Sequence, residues 1–344
     1  MRRGEALIHS VLEEYGRLTR RALRRYLPAG EPWRYLYDLV SDYPRRGGKM
    51  MRPSLCIATA RAFGARAEDA LRAAVSIELF HNALLVHDDI QDESQVRRGA
   101  PSLHVLHGMP LALNAGDTLV MLSLRPLAEY RLGFGLKVAL LLIEEMERMA
   151  RESGEGQALE LGWRRDNVVD LTEADYFEMV LKKTCWYTAI SPMRLGALIG
   201  SGDMYPEFET LIRFGFFFGT AFQIRDDVLN IVGDERYGKE LGDDLLEGKR
   251  TLMLIHLFSQ ATAGECERLA AFLAAPRAAR LGAPVRWVIE RMKHYGSIDY
   301  AQEVANGLAG AALHEFSTLF DRLPDSRDKS FLSDMVPWVL ERNS

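Results

Sequence analysis

Two acidic clusters with the same internal spacing stand far apart in this chain of 344 residues, and each precedes a basic, glycine-containing segment. The first is Asp88-Asp89-Ile90-Gln91-Asp92, followed by Arg97-Arg98-Gly99. The second is Asp226-Asp227-Val228-Leu229-Asn230, followed by Gly248-Lys249-Arg250-Thr251. On a helix, at ~100° per residue, positions 88, 89 and 92 fall on one face, and so do 226, 227 and 230. Oxygen ligands grouped this way suit Mg²⁺, which takes one or two carboxylates and completes its shell with substrate phosphate oxygens. Neighbouring Lys and Arg side chains would hold the phosphates. The pairing predicts a diphosphate held between two acidic helix faces.

The elements that carry these acids are apolar on their N-terminal side. Residues 73–87 run through Val75, Ile77, Leu79, Phe80, Leu84 and Val86 into Asp88, and residues 214–224 are almost wholly apolar before Asp226. Helices that are apolar nearly all round are buried, so the acids mark where a buried bundle meets solvent. A cavity between such helices would be apolar below and charged at its mouth, which suits a hydrocarbon tail with a phosphate head. Helical periodicity recurs around 5–25, 52–62, 68–92, 110–130, 134–152, 172–190, 207–232, 251–260, 265–274, 284–293, 298–322 and 328–341. Strand-like alternation is scarce, the breaks are short, and no repeat of 20–50 residues stands out. The prediction is an all-α fold: a single domain over residues 1–344, built as a bundle of about 12 or more helices around a deep apolar cavity.

Composition narrows the classes further. With 48% apolar residues the chain can bury a large core, and a net charge of −5 without a basic arm or stripe argues against nucleic acid as a partner. The three cysteines, Cys56, Cys185 and Cys266, form no CxxC pair, which fits a reducing compartment without structural zinc. The N-terminus is amphipathic rather than signal-like, and the most apolar stretches fall short of the roughly 18 to 20 residues that span a bilayer. A cytoplasmic protein without a transmembrane segment is expected.

Each motif also has an ordinary structural reading. A single DDxxD arises often as a solvated helix face, Arg97 and Arg98 could be surface charges, and Gly47-Gly48-Lys49-Met50-Met51-Arg52-Pro53 could be a loop and a helix start. That same segment could bring backbone N–H groups, Lys49 and Arg52 up to a phosphate. His81, seven residues before Asp88, reads by itself as a core histidine or as a phosphate donor. Two acid motifs at equal spacing, each ending a long apolar helix, make coincidence a poor account.

Taken together these residues resemble the trans-isoprenyl diphosphate synthases, the prenyltransferase family that makes farnesyl, geranylgeranyl and longer polyprenyl diphosphates. The resemblance runs from about Gly47 to the C-terminus through GGKMMRP, IELFHNALLVHDDIQD, RRGAPSLHVLHG, NAGD (Asn114–Asp117), GQALEL (Gly156–Leu161), KKT (Lys182–Thr184), FQIRDDVLN and KELGDDLLEGKRT, and is closest to geranylgeranyl-type members. It implies the isoprenoid synthase fold and Mg²⁺ as cofactor, three ions per site with substrate bound. Asp88 and Asp92, supported by Asp89, would hold metal with the allylic diphosphate, and Asp226, with Asp227 beside it, a further ion. Lys49, Arg52, His81 and Arg98 would hold isopentenyl diphosphate. Arg97, Lys183, Thr184, Gln223 and Lys239 would contact the allylic diphosphate, with Lys249 adding a cation. Ionisation of the allylic diphosphate, attack by the isopentenyl double bond and loss of a proton would follow, with no protein nucleophile.

The family's second motif usually ends in Asp, and Asn230 stands there instead. An amide oxygen still coordinates a hard cation, so Asn230 is taken as a metal ligand with weaker binding on that side. It leaves open a family-fold cyclase, which ionises a finished prenyl diphosphate without isopentenyl diphosphate; the complete homoallylic set argues against it. A non-catalytic subunit would be expected to lose aspartates of the first motif, and all three are present. Leu84 and Phe80 lie one and two turns before Asp88, and Ala83 is small where short-product members place an aromatic. Together these three residues predict a C20 product, with C15 and C25 or longer as alternatives. The starter would be dimethylallyl, geranyl or farnesyl diphosphate, and the family habit is a homodimer.

Overall fold

A computed structural model describes residues 3–202, 208–232 and 242–341. The apolar periodicity becomes helix almost throughout. In chain order the helices are α1 (Arg3–Leu23), α2 (Asp38–Arg46), α3 (Met51–Ala62), α4 (Ala67–Gln91), α5 (Leu103–His107), α6 (Met109–Ala128), α7 (Leu136–Arg165), α8 (Glu173–Val180) and α9 (Ser191–Ser201). They continue as α10 (Phe208–Val232), α11 (Asp243–Glu247), α12 (Leu252–Gln260), α13 (Ala263–Ala274), α14 (Arg277–Arg280), α15 (Ala283–His294), α16 (Ser297–Phe320) and α17 (Arg327–Glu341). Wider π-helical turns occupy Trp33–Tyr37 and Leu181–Ile190. Among the described residues the regular strand pairing is a two-residue ladder, β1 (Val96–Arg97) against β2 (Ala100–Pro101). The fold is all-α, and no described helix is long and apolar enough to cross a membrane.

Contacts group the chain into two compact units, where the sequence predicts one domain: Met1–Ala150, Tyr187–Ile212 and Phe316–Met335 form the first, and Arg151–Trp186, Arg213–Glu315 and Val336–Ser344 the second. In the first, α4 packs on α6, α3, α1 and α9. Val75, Leu79, Ala83 and Val86 of α4 share a core with Ala112, Ala115 and Leu119 of α6 and with Tyr43 of α2. Glycine sets how closely some helices cross. A side chain at Gly196 or Gly200 of α9 would overlap the α3 backbone around Cys56 and Ala60, so the glycines that break the helical pattern in sequence are what let α9 seat.

Buried ion pairs pin this unit. Arg194 of α9 donates Nε and Nη2, each at 2.8 Å, to Glu145 of α7, and stacks over the Phe208 ring at 4.0 Å. Asp328 accepts from the Tyr15 hydroxyl and from Arg61 Nε at 2.7 Å, tying α17 to α1 and α3.

In the second unit, α7 runs on to Arg165, beyond its predicted end near 152, despite Gly154, Gly156 and Gly162. Gly156 is needed there: any β-carbon would collide with the backbone at Lys183. Capping boxes start α8 (Thr172 with Asp175) and α13 (Thr262 with Glu265).

Candidate active site

Both acid motifs occupy the last turns of long helices, α4 and α10, where the backbone already concentrates partial negative charge. Carboxylates at a helix C-terminus are unfavourable by several tenths of a kcal/mol each, roughly 0.3–1, unless cations answer them. In the first unit Arg97 is such a cation, while in the second Asp227 is met by the neutral donors Tyr176 and Gln223.

In the first unit the polar residues of α4 fall into two neighbouring stripes. His81, Asp88 and Asp92 form one, at spacings of seven and four; Glu78, Asn82 and Asp89 form the other, about 80° round the helix. Asp88 is partly exposed, and Asp92 ends the helix with its amide on the Asp88 carbonyl at 2.8 Å. Asp89, next to Asp88, points elsewhere. It is fully buried, accepts from the Tyr43 hydroxyl, and receives Arg97 Nε at 2.8 Å together with Arg97 Nη2. Burial works against the Arg97 charge, but the bonds to Asp89 and its negative charge push that guanidinium up, so it stays a cation. Arg97 also lies 3.5 Å from Asp88.

Arg97 and Arg98 come from the β1–β2 hairpin. Arg98 (φ 53°) and Gly99 (φ 77°) are the two turn residues between the paired Arg97 and Ala100, both left-handed as a tight primed turn requires. Arg46 buttresses the turn, donating Nη1 to the Arg97 and Ala100 carbonyls at 2.9 and 3.2 Å and Nη2 to Pro101 at 2.9 Å. Arg98 donates to the Tyr43 carbonyl at 3.0 Å, and its Nη2 would sit 2.8 Å from a β-carbon at Gly48, so that glycine makes room for the guanidinium.

Arg52, His81 and Tyr187 form a stacked group in the same unit. The Arg52 guanidinium lies 4.3 Å over the Tyr187 ring and donates Nη2 to Thr188 Oγ1 at 3.0 Å; His81 stacks on the same ring, centroids 6.0 Å apart. Burial, with Arg52 and Arg98 beside it, holds His81 well below the usual imidazole range, so the ring is neutral. Its Nε2 lies 3.4 Å from Arg52 Nη1, which can only donate; the ring proton therefore belongs on Nδ1, a buried atom with no partner. Lys49 is exposed nearby in sequence.

The NAGD motif has a structural reading. Gly116 leaves the space that the His87 ring fills, and His87 Nε2 lies 3.2 Å from Asp117.

In the second unit Asp226 is partly exposed, while Asp227 and Asn230 are buried. Asp227 accepts from the Tyr176 hydroxyl at 3.0 Å and from Gln223 Nε2 at 2.8 Å. Burial, with the charges of Asp244 and Asp226 nearby, pushes its carboxyl well above the ordinary range. Asn230 Oδ1 accepts from the Asp244 amide at 3.1 Å and its carbonyl from the Gly242 amide at 2.8 Å, so the side chain proposed as a metal ligand caps α11. Its Nδ2 is buried without a partner.

Lys183 pairs with Glu160 at 2.5 Å, and Thr184 donates to Gln223 Oε1 at 2.9 Å. Both sit in the π-helical stretch Leu181–Ile190, a widened geometry that recurs at functional sites. Lys249 pairs with Asp244 at 3.2 Å and Glu247 at 2.6 Å. Arg250 is a buried strut to the Val168 and Gly248 carbonyls and to Asn167. Lys239 lies outside the described residues.

Of the three residues read as the cavity floor, Phe80 is buried and Leu84 partly exposed, ~80° and ~40° round the helix from Asp88. Ala83 is not on the Asp88 stripe. It is fully buried in the α4–α6 core with Leu79, Val86 and Ala112. Sequence reasoning passed over Tyr43, Arg46, Glu78, Asn82, Glu160 and Tyr176, all buttresses whose partners lie outside the quoted motifs or deep inside them, and read Tyr187 only as core or pocket lining.

A profile of the Polyprenyl synthetase family matches residues 34–286. The chain is 30% identical to a geranylgeranyl pyrophosphate synthase of Geoglobus acetivorans over 98% of its own length and 100% of the relative's. It is equally 30% identical to a geranylfarnesyl diphosphate synthase of Natronomonas pharaonis, over 98% of each chain. Among solved structures it superposes on the polyprenyl synthase of Caulobacter crescentus complexed with calcium and isoprenyl diphosphate, with TM-score 0.85, 26% identity and 98% of each chain covered. The chain belongs to the polyprenyl synthetase family and is a prenyltransferase.

Proposed function

We propose that residues 1–344 act as one synthase domain condensing isopentenyl diphosphate head-to-tail with an allylic diphosphate, the main product being C20 geranylgeranyl diphosphate. The observation that carries this reading is the arrangement around α4. An acidic stripe of Asp88 and Asp92 comes with one buttressed arginine, Arg97, while Arg52, His81 and Arg98 form a second basic group whose nearby acid, Glu78, is buried. That provides for a metal-held diphosphate and for a second, metal-free one, which a condensation needs and a cyclase does not. Asn230, the residue that left a cyclase open, is occupied in capping α11.

The donor set fits Mg²⁺. Among the described residues no three His, Cys, Asp or Glu side chains converge on one point, and Mg²⁺ typically takes only one or two carboxylates with phosphate and water completing its shell. Asp88, Asp92 and Asp226 would hold it, three ions in all. When bound, the metal neutralises the charge that grows on the departing diphosphate. Arg97, Lys183, Thr184, Gln223, Lys239 and Lys249 would orient the allylic diphosphate. Lys49, Arg52 and Arg98, with the unpartnered Nδ1–H of His81, would bind the isopentenyl diphosphate and fix its double bond in attacking position. Apolar walls of the predicted cavity would keep water from the allylic cation.

We place the protein in the cytoplasm as a homodimer. The exposed apolar side chains of Met109, Leu113, Met121, Leu132, Leu136 and Leu140 on and between α6 and α7 supply a face for a second copy. Light scattering after gel filtration tests this.

The deciding experiment gives the enzyme Mg²⁺ and farnesyl or geranylgeranyl diphosphate, with and without isopentenyl diphosphate, and reads products by mass. Elongation that requires isopentenyl diphosphate supports the reading, and the longest major product sets the length. Cyclic hydrocarbon formed without isopentenyl diphosphate refutes it.

A further inference from the structure

Glu78 lies on the inner stripe of α4, three turns before Asp89, and is buried to 2% exposure. Asn82, one turn on, donates Nδ2 to the Glu78 carbonyl at 2.7 Å and to Glu78 Oε1 at 2.9 Å. The other end of the same amide, Asn82 Oδ1, lies 3.4 Å from Arg98 Nη1. The order of donors along this chain is forced. A carboxylate only accepts and a guanidinium only donates, so an Asn between them can be oriented one way, nitrogen to Glu78 and oxygen to Arg98. Burial holds the Glu78 carboxyl above the ordinary range, against the opposing charges of Arg98, Arg52 and Arg20 and the bond from Asn82. Such a charge stays buried only where cations and hydrogen bonds answer it.

We propose that Glu78 is a positioning residue for the homoallylic diphosphate: through Asn82 it aims Arg98, much as Asp89 holds the adjacent Arg97. The proposal rests on the reading of Arg98 as a ligand of isopentenyl diphosphate. Glutamine at 78 keeps the shape but loses the negative charge, so it holds the Asn82 amide, and through it Arg98, less firmly.

The test is steady-state kinetics of Glu78→Gln, Asn82→Ala, Arg98→Gln and the Glu78→Gln/Arg98→Gln double variant, with each substrate varied in turn. Glu78→Gln and Asn82→Ala should each raise KM for isopentenyl diphosphate ~10-fold, with kcat at saturation and KM for the allylic substrate within about twofold; the double variant should be no worse than Arg98→Gln. Should Glu78→Gln not fold, Asn82→Ala decides alone. Deleting a negative charge by itself favours an anionic ligand, so a lowered KM in Glu78→Gln overturns the proposal. So does an unchanged KM alongside a raised one in Arg98→Gln, or a kcat loss as large as the KM change. An unchanged KM in Arg98→Gln overturns instead the placement of isopentenyl diphosphate itself.

Discussion

Asp89 grips Arg97 through Nε at 2.8 Å while its other oxygen takes the Tyr43 hydroxyl, so both oxygens of this carboxylate are committed to protein. Asp88, one residue earlier, stays partly exposed. The two neighbours should therefore fail differently. Asp88→Ala should abolish turnover, whereas Asp89→Asn should keep the Mg²⁺ dependence and lose roughly 10- to 100-fold in kcat/KM for the allylic substrate through a loosened Arg97. Kinetics across a Mg²⁺ titration separate the two; near-normal turnover in Asp88→Ala removes it from the metal set.

Product length should respond to Phe80. Phe80→Ala is expected to lengthen the main product by at least one C5 unit, read by mass, and an unchanged profile shows that Phe80 is not the floor. Ala83→Phe is expected to act mainly through the fold. Ala83 sits in the α4–α6 core against Ala112 and Ala115, so a phenyl ring overpacks it at a cost of about 1–3 kcal/mol or more. A clear drop in melting temperature accompanies any shortening; shortening at unchanged stability would put the side chain in the cavity instead.

Tyr187 should matter for its ring. Tyr187→Leu removes the surface under Arg52 and His81, worth about 0.5–2 kcal/mol, and should raise KM for isopentenyl diphosphate by roughly 2- to 30-fold, while Tyr187→Phe stays near wild type. Equal effects from both substitutions would assign the role to the hydroxyl.

The Glu145–Arg194 pair should behave as a buried ion pair. Both side chains are 6% exposed, so Glu145→Gln removes a buried counter-charge from the Arg194 guanidinium and should cost about 3 kcal/mol in denaturant unfolding. Replacing both partners by Met should recover most of it. A double variant as unstable as the single one would show that packing rather than charge is at stake.

Asp227 gives a pH signature. Its carboxyl titrates higher in the folded, metal-free protein than in the unfolded chain, so it costs stability at pH above the unfolded carboxylate range, and the cost is relieved as pH falls. Asp227→Asn removes that dependence. In a chelating buffer the variant should melt above wild type at pH 7 and converge with it by about pH 4. A variant less stable than wild type at pH 7 would mean that the charged carboxylate is stabilised there.

Helical period alone sets Asp88 and Asp92 with His81, because spacings of seven and four bring side chains to one face on any α-helix. Which of two adjacent acids turns inward is decided by a tyrosine 46 residues away and by a hairpin arginine, partners that no local pattern names. Ala83 makes a related point: being small does not say which helix a residue faces, and here it lies in the core shared with α6. The periodicity read from sequence stops near 152 and 190, short of the end of α7 and of α9, where Gly156, Gly196 and Gly200 permit close crossings. Asn230 has a ligand's chemistry, but its oxygen answers a backbone amide that only the return of the chain at Gly242–Asp244 supplies.

The β1–β2 turn has a consequence for how such a chain can change. With two left-handed residues and no spare length, it separates the duties of Arg97 and Arg98 by placing one on the paired strand and the other at the turn itself. Substitutions there are graded: each weakens one grip. Insertions are not, because one extra residue slips the register and swaps which side chain faces Asp89. Lineages descending from this sequence should therefore drift in the letters of this segment while holding its length fixed, and grafting the loop into another scaffold should succeed only when Arg46 travels with it.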